Sequence, residues 1–132
     1  MEIIEYRTYR EKEILPLYAS VGWTAYTDAP DALRRGFEKS LLTLAAYEGK
    51  TLVGLARAVG DGETVVLVQD LLVFPQYQRL GVGTALLRAV MERFADVRQL
   101  QLVTDDTKKT LAFYHSLGLR ELSAFGCRGF MR

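Results

Sequence analysis

Apolar and polar positions alternate along this chain in a way that separates strands from helices. Residues 2–8, "EIIEYRT", read as a first strand. "REKEILPLYASVG" reads as a helix with Ile14, Leu15, Leu17 and Tyr18 on one side, and Pro16 inside it predicts a late start or a kink. "TDAPDALRRGFEKS" predicts a second helix, with Asp28 or Asp31 as its cap and Ala32, Leu33 and Phe37 packing inward, weakened by Gly36. "LLTLAAYE" and "TLVGLARAVG", joined by a Gly-Lys turn, predict a hairpin. Asp61-Gly62 then turns the chain into "TVVLVQDLLVF", whose nearly unbroken apolar run predicts a central strand covered on both faces. A helix to about Asp96, a strand "RQLQLVTD" and a short helix "TKKTLAFYHSLG", stopped by Gly118, follow. The tail "LRELSAFGCRGFMR" reads as one or two closing strands, with Cys127 in a strand.

Hairpins early and helical crossovers late imply an α/β (α+β mixed) fold. The expected architecture is one domain over residues 1–132, with a central mixed, mostly antiparallel sheet and helices on both faces. The length of 132 residues suffices for one core. A net charge of +1 argues against a nucleic-acid partner, which calls for a basic stripe. One cysteine, Cys127, permits no intrachain disulfide and fits a cytoplasmic setting. The first residues, "MEIIEYRTYREKE", hold no apolar run of signal-peptide length, and no stretch suggests a membrane span. One histidine and one cysteine make a metal site an expected absence.

The stretch "VFPQYQRLGVGTALLRAV", residues 73–90, carries the most specific chemistry. A strand breaks at Pro75, and two glycines precede a long apolar helix. Helix starts leave amides without partners and carry partial positive charge, which together favour an anion, usually a phosphate. Gly81 and Gly83 remove side chains that would hold the anion away, Arg79 supplies a cation, and Thr84 a hydroxyl. Neither of two better-known phosphate patterns fits. No Gly-Lys-Ser/Thr follows, and the third glycine of the dinucleotide pattern is Leu86. The plainer alternative is that both glycines only permit a tight strand-to-helix turn.

The same stretch resembles the acyl-coenzyme A signature of the GNAT N-acetyltransferase family: Gln or Arg, two residues, Gly, one residue, Gly or Ala. Here it is Gln78-Arg79-Leu80-Gly81-Val82-Gly83. "LAFYHSLGLRE" is similar to the family's "FYxxLGF" segment, at the expected separation of one helix and one strand. Thr107 and Thr110 stand where the family often has asparagine and alanine.

The resemblance implies a GNAT-type domain that transfers an acetyl group from acetyl-coenzyme A, as cosubstrate, to a primary amine. It implies pantetheine contacts at Leu71, Leu72 and Val73, with the Val73 N–H polarising the thioester. It implies pyrophosphate contacts at Arg79, Leu80, Gly81, Val82, Gly83 and Thr84, and further cofactor contacts at Gln78 and Thr107. Tyr114 takes the position of a general acid, or only packs on the cofactor. Asp70 is a candidate base, or a carboxylate bonded to backbone or an arginine. Trp23 and Tyr26 line the acceptor site or pack the helix connection. Lys108 and Lys109 meet the 3′-phosphate or form a solvated pair, and His115 is a surface or packing residue. The partners so implied are acetyl-coenzyme A and an amine acceptor, with a homodimer open. Two other functions stay open: a catalytically silent acyl-coenzyme A binding module, and a domain whose glycine turn is purely structural.

Overall fold

The computed structural model describes all 132 residues. In chain order the elements are β1 (Glu2–Glu5), α1 (Glu11–Ser20), α2 (Thr24–Thr27), α3 (Pro30–Glu38), β2 (Leu42–Glu48), β3 (Thr51–Gly60), β4 (Val65–Val73), α4 (Val82–Arg93), β5 (Gln99–Leu102) and α5 (Lys108–Ser116). The five strands form one sheet in sequence order. The pairs β1–β2, β2–β3 and β3–β4 are antiparallel, and β4–β5 is parallel. A mixed, mostly antiparallel sheet with helices on both faces is therefore what forms. No helix is long and apolar enough to cross a membrane.

Each face of the sheet carries its own core. On one, Leu86, Leu87 and Val90 of α4 pack on Val53, Ala56, Ala58, Val66 and Val68, with Phe113 of α5 and Leu117 just past its end beside them. On the other, Ile14, Leu17 and Tyr18 of α1 and Leu33 and Phe37 of α3 pack on Ala45, Leu55 and Leu72. Each fully buried leucine or isoleucine here contributes roughly 1.5–3 kcal/mol. Gly54 lets α4 sit low on the sheet. A Cβ there would lie 3.0 Å from Val82, 3.1 Å from the Leu72 carbonyl and 3.2 Å from Leu86.

Two irregularities of β4 shape the molecule. Arg57 pairs with Asp70 but Ala58 pairs with Val68, so Gln69 is an extra, bulged residue. Such a bulge bends its strand and sharpens the local twist. On its other side β4 pairs with β5 only from Val65 to Val68. From Gln69 to Val73 that edge has no neighbour, and the sheet opens.

Several expectations need correction. The tail makes no strand: it holds a single 3-10 turn, Leu122–Phe125, and Cys127 is exposed outside any strand. Phe130 and Met131 are 94% and 86% exposed, so the tail lacks the apolar cover a strand needs. The first strand ends at Glu5 and not at residue 8. Pro16 lies within α1, which runs from Glu11 regardless. Neither Asp28 nor Asp31 caps α3. The cap position is Ala29, with Pro30 in the first turn, where its missing N–H costs nothing. The short α2, around Trp23 and Tyr26, was not expected.

Candidate active site

The opening between β4 and β5 is the mouth of a cleft of about 880 Å³. Its floor is β4 from Val68 to Val73, whose edge is free from Gln69 onward. One wall is the turn before α4, with Gln78, Arg79, Gly81, Gly83 and Thr84. A second is one side of α5, with Lys109, Phe113 and Tyr114. The far end is closed by Val21, Trp23 and Tyr26.

Backbone direction along the floor follows from one bond. The Phe74 N–H donates to the Val53 carbonyl at 2.9 Å, on the β3 side. Successive residues of a strand alternate, so the Val73 and Leu71 amides face the opening. The Val73 carbonyl accepts from Gln78 Nε2 at 3.0 Å, which ties the turn to the strand end.

The turn presents a run of unpaired donors. None of the amides of residues 79–84 donates to a backbone or side-chain acceptor, and the first helical bond of α4 is Ala85 N–H to the Gly81 carbonyl at 3.0 Å. Gly81 has φ of 85° and Arg79 has φ of 66°, the only non-glycine residue in the left-handed region. Alternating conformations of this kind curl successive N–H groups toward one point and make an anion-binding concavity. A Cβ at Gly81 would touch nothing within 4 Å, so its glycine is required by angle and not by space. At Gly83 a Cβ would make ordinary contact with Phe113 at 3.6 Å.

The other candidate residues fall into place unevenly. Leu80 projects outward, 70% exposed, and Val82 is buried in the core, so these two have only their amides to offer. Thr107 caps α5, its Oγ1 accepting from the Thr110 N–H at 3.3 Å, and does not line the cleft. Lys109 lines it and Lys108 does not. Tyr114 packs edge-on against Phe113 at 5.0 Å. Burial pushes its hydroxyl above the usual tyrosine range, against a hydrogen bond from Thr104. His115 is exposed and meets Glu121 at 2.8 Å.

Asp70 is 2% exposed and fully engaged. Oδ2 accepts from Tyr18 Oη at 2.7 Å and from Arg57 Nε at 2.8 Å, and Oδ1 accepts from Tyr26 Oη at 2.7 Å. It is the arginine-bonded carboxylate that the sequence allowed as one of two readings. Arg57 in turn donates to Ser40 Oγ at 3.1 Å and lies 5.3 Å from the Phe37 ring centroid. Sequence reasoning missed Arg57, Tyr18, Gln69, Thr104 and Phe113. One signal was available: a lone Arg and a lone Asp, in two adjacent apolar strands, suggest a buried pair.

No three His, Cys, Asp or Glu side chains lie together as a metal site would require.

Comparison with known proteins gives a consistent result. A family model described as the acetyltransferase (GNAT) family matches residues 7–119. A solved acetyltransferase of the GNAT family from Streptococcus pneumoniae is 37% identical, covers 99% of this chain and 96% of its own, and superposes with a TM-score of 0.90. The aminoglycoside acetyltransferase AAC(6')-Iy, solved with a bisubstrate analog, shares the fold at 18% identity and a TM-score of 0.77, over 99% of this chain and 95% of its own. The chloroplastic GCN5-related N-acetyltransferase 2 of Arabidopsis thaliana is 36% identical over 84 residues, or 61% of this chain. The chain spans 31% of that protein, and 63% of a ycf52-like N-acetyltransferase from Prochlorococcus marinus that is 27% identical over 85% of this chain.

Proposed function

Because the chain belongs to the acetyltransferase (GNAT) family, we propose that it moves an acetyl group from acetyl-coenzyme A to a primary amine, directly, within a ternary complex. The observation that carries this reading is the unpartnered run of amides at 79–84, set at the mouth of a cleft floored by an open strand edge. A pyrophosphate supplies the acceptors those amides lack, with Arg79 and Thr84 beside them. A pantetheine arm supplies amides for the free β4 edge at Leu71 and Val73, while Leu72 is held in the core behind them. The Val73 N–H is then placed to polarise the thioester carbonyl and stabilise the oxyanion. Gln78 holds the turn against the strand end, and Lys109 offers a charge near the nucleotide. Thr107 acts at one remove, by fixing the start of α5.

In the reaction the amine nitrogen attacks the thioester carbon, a C–N bond forms and the C–S bond breaks. The nitrogen gives up one proton and the leaving thiolate takes one. Tyr114 is the donor to sulfur: a phenol is protonated at neutral pH in any case, and burial raises this one further, so its proton is in place when the thiolate leaves. Asp70 is a poor base as the fold holds it, because Arg57 and two phenols already occupy its oxygens. The amine's proton therefore leaves to water. That same occupancy favours a second reading, a module that binds acyl-coenzyme A without transferring it. The lone cysteine, Cys127, fits work in a reducing compartment.

A thiol-release assay over a panel of primary amines, alongside calorimetry with coenzyme A, tests the proposal. Coenzyme A binding with amine-dependent thiol release supports transfer. Binding with no release by any amine supports the silent module, and no binding at all defeats both.

A further inference from the structure

Strand β4 changes face in its middle. Val66 and Val68 pack in the core that holds α4, whereas Leu72, of the same parity, packs in the core that holds α1, and Asp70 bonds Tyr18 of α1. An unbroken strand keeps alternate residues on one face. The extra residue, Gln69, inverts the order. Pairing with β5 ends at Val68, so the two strands part where the bulge begins.

The apolar pattern does not choose this register. Residues 71–74 are Leu, Leu, Val and Phe, so a slip of one residue exchanges one apolar side chain for another. The charges do choose. Were the register of Ala58 with Val68 to run on without a bulge, Arg57 would face Gln69 and Ala56 would face Asp70. Arg57 would lose its anion, and Asp70 would point unpaired into the core that Ala56 shares with Leu86, Leu87 and Val90. With the bulge, Arg57 Nε meets Asp70 Oδ2 at 2.8 Å, both side chains buried. A buried ion pair adds little stability over an apolar pair, but losing one partner is severe, which suits it to select one register against another.

We propose that the Arg57–Asp70 pair is a register lock: it holds the bulge at Gln69, and so fixes the bend that parts β4 from β5 and the length of chain between Val73 and the amides of residues 79–84. Arg57 and Asp70 are positioning residues that act through the backbone of β4. In the slipped register each residue beyond Gln69 moves on by one place, the turn before α4 gains a residue, and the Val73 carbonyl leaves Gln78 Nε2, which now donates to it at 3.0 Å. The lock stands on the register alone, and its effect on the cofactor rests on the acetyl-transfer reading above.

Moving the carboxylate back by one residue tests the lock. In the double variant Gln69→Asp, Asp70→Leu the acid meets Arg57 only in the register without a bulge. It keeps Tyr18 as a partner there, and the places beyond it receive apolar residues, so the variant is expected to fold with a urea midpoint near that of the wild type. Amide hydrogen exchange is read by NMR without ligand, and coenzyme A affinity by calorimetry. In the wild type the Leu72 amide, turned to β3 like that of Phe74, is expected to exchange slowly, and the Leu71 and Val73 amides fast. In the variant the Leu71 and Val73 amides are expected to become the slow ones, and the Kd for coenzyme A to rise at least about tenfold. A folded variant with the wild-type exchange order overturns the lock. An inverted order with native coenzyme A affinity overturns the positioning role. Should the double variant not fold, Asp70→Asn decides, since it keeps the shape and removes the charge: slow exchange spreading to Leu71 and Val73 supports the lock, and the wild-type order overturns it. A wild type that binds no coenzyme A, or binds it and releases no thiol with any amine, counts against the function proposed above, while the exchange order still decides the lock.

Discussion

Arg79 and Gly81 both sit in the left-handed region, at φ of 66° and 85°, but only glycine does so without strain. Gly81→Ala should therefore cost about 1–2 kcal/mol in urea unfolding, since a left-handed non-glycine residue carries that penalty. It should also weaken coenzyme A binding, because relief of the strain turns the amides out of line. Unchanged affinity would mean that the curl of the turn is irrelevant to binding. Tyr114 makes a different kind of claim. Tyr114→Phe keeps the ring and its packing on Phe113, so coenzyme A should bind nearly as before. Turnover should fall about a hundredfold, the usual scale for removal of a general acid. An unchanged kcat would leave Tyr114 as a packing residue only. Asp70 shows where residue-level inference from sequence ends. Its partners stand 13, 44 and 52 positions away, so the two adjacent strands hint at Arg57 but no local pattern reveals the two phenols on its oxygens.

At the scale of elements, the anion site depends on how α4 is seated. Leu86, Leu87 and Val90 bury one side of that helix, and Gly54 lets it approach the sheet. Gly54→Val would drive side-chain atoms into Val82, Leu86 and the Leu72 carbonyl. A loss of about 1–3 kcal/mol is expected from overpacking, measured by urea unfolding. Coenzyme A affinity should fall with it, as the helix start moves off the β4 end, and a variant with native affinity would show that seating and site are independent. Long apolar runs make β2, β3, β4 and α4 legible in the sequence, and the glycine turn is legible because its chemistry is local. The tail is not. "LRELSAFGCRGFMR" has strand-like composition, yet a strand needs a neighbour, and nothing in the segment says whether the edge of β5 receives it. The bulge at Gln69 is equally silent, because it is a mismatch between two strands and not a property of either.

For the molecule as a whole, two cores lie on opposite faces of one sheet, and the cleft opens where that sheet parts. The face that carries α1 holds several buried phenols. Burial, then a hydrogen bond to Glu13, pushes Tyr47 up to about 12 from its ordinary 10.0. Tyr6 and Tyr18 are raised further, also mainly by burial. An unfolded tyrosine ionises near 10. The stability these groups contribute is complete below that pH, and is lost as the pH climbs through the folded values. Melting temperature should stay level up to about pH 10 and then fall, in step with late tyrosinate absorbance. A level melting temperature through pH 12 would contradict this reading of the core, since an unfolded tyrosine has ionised by then while folded Tyr47, held at about 12, is only half ionised. The function asks for a more local measurement. Coenzyme A titrated into nitrogen-labelled protein should shift the amide resonances of residues 79–84 and slow their hydrogen exchange, with the Val73 amide following. Those amides unmoved at saturation, while resonances elsewhere shift, would put the nucleotide in another place and contradict the account.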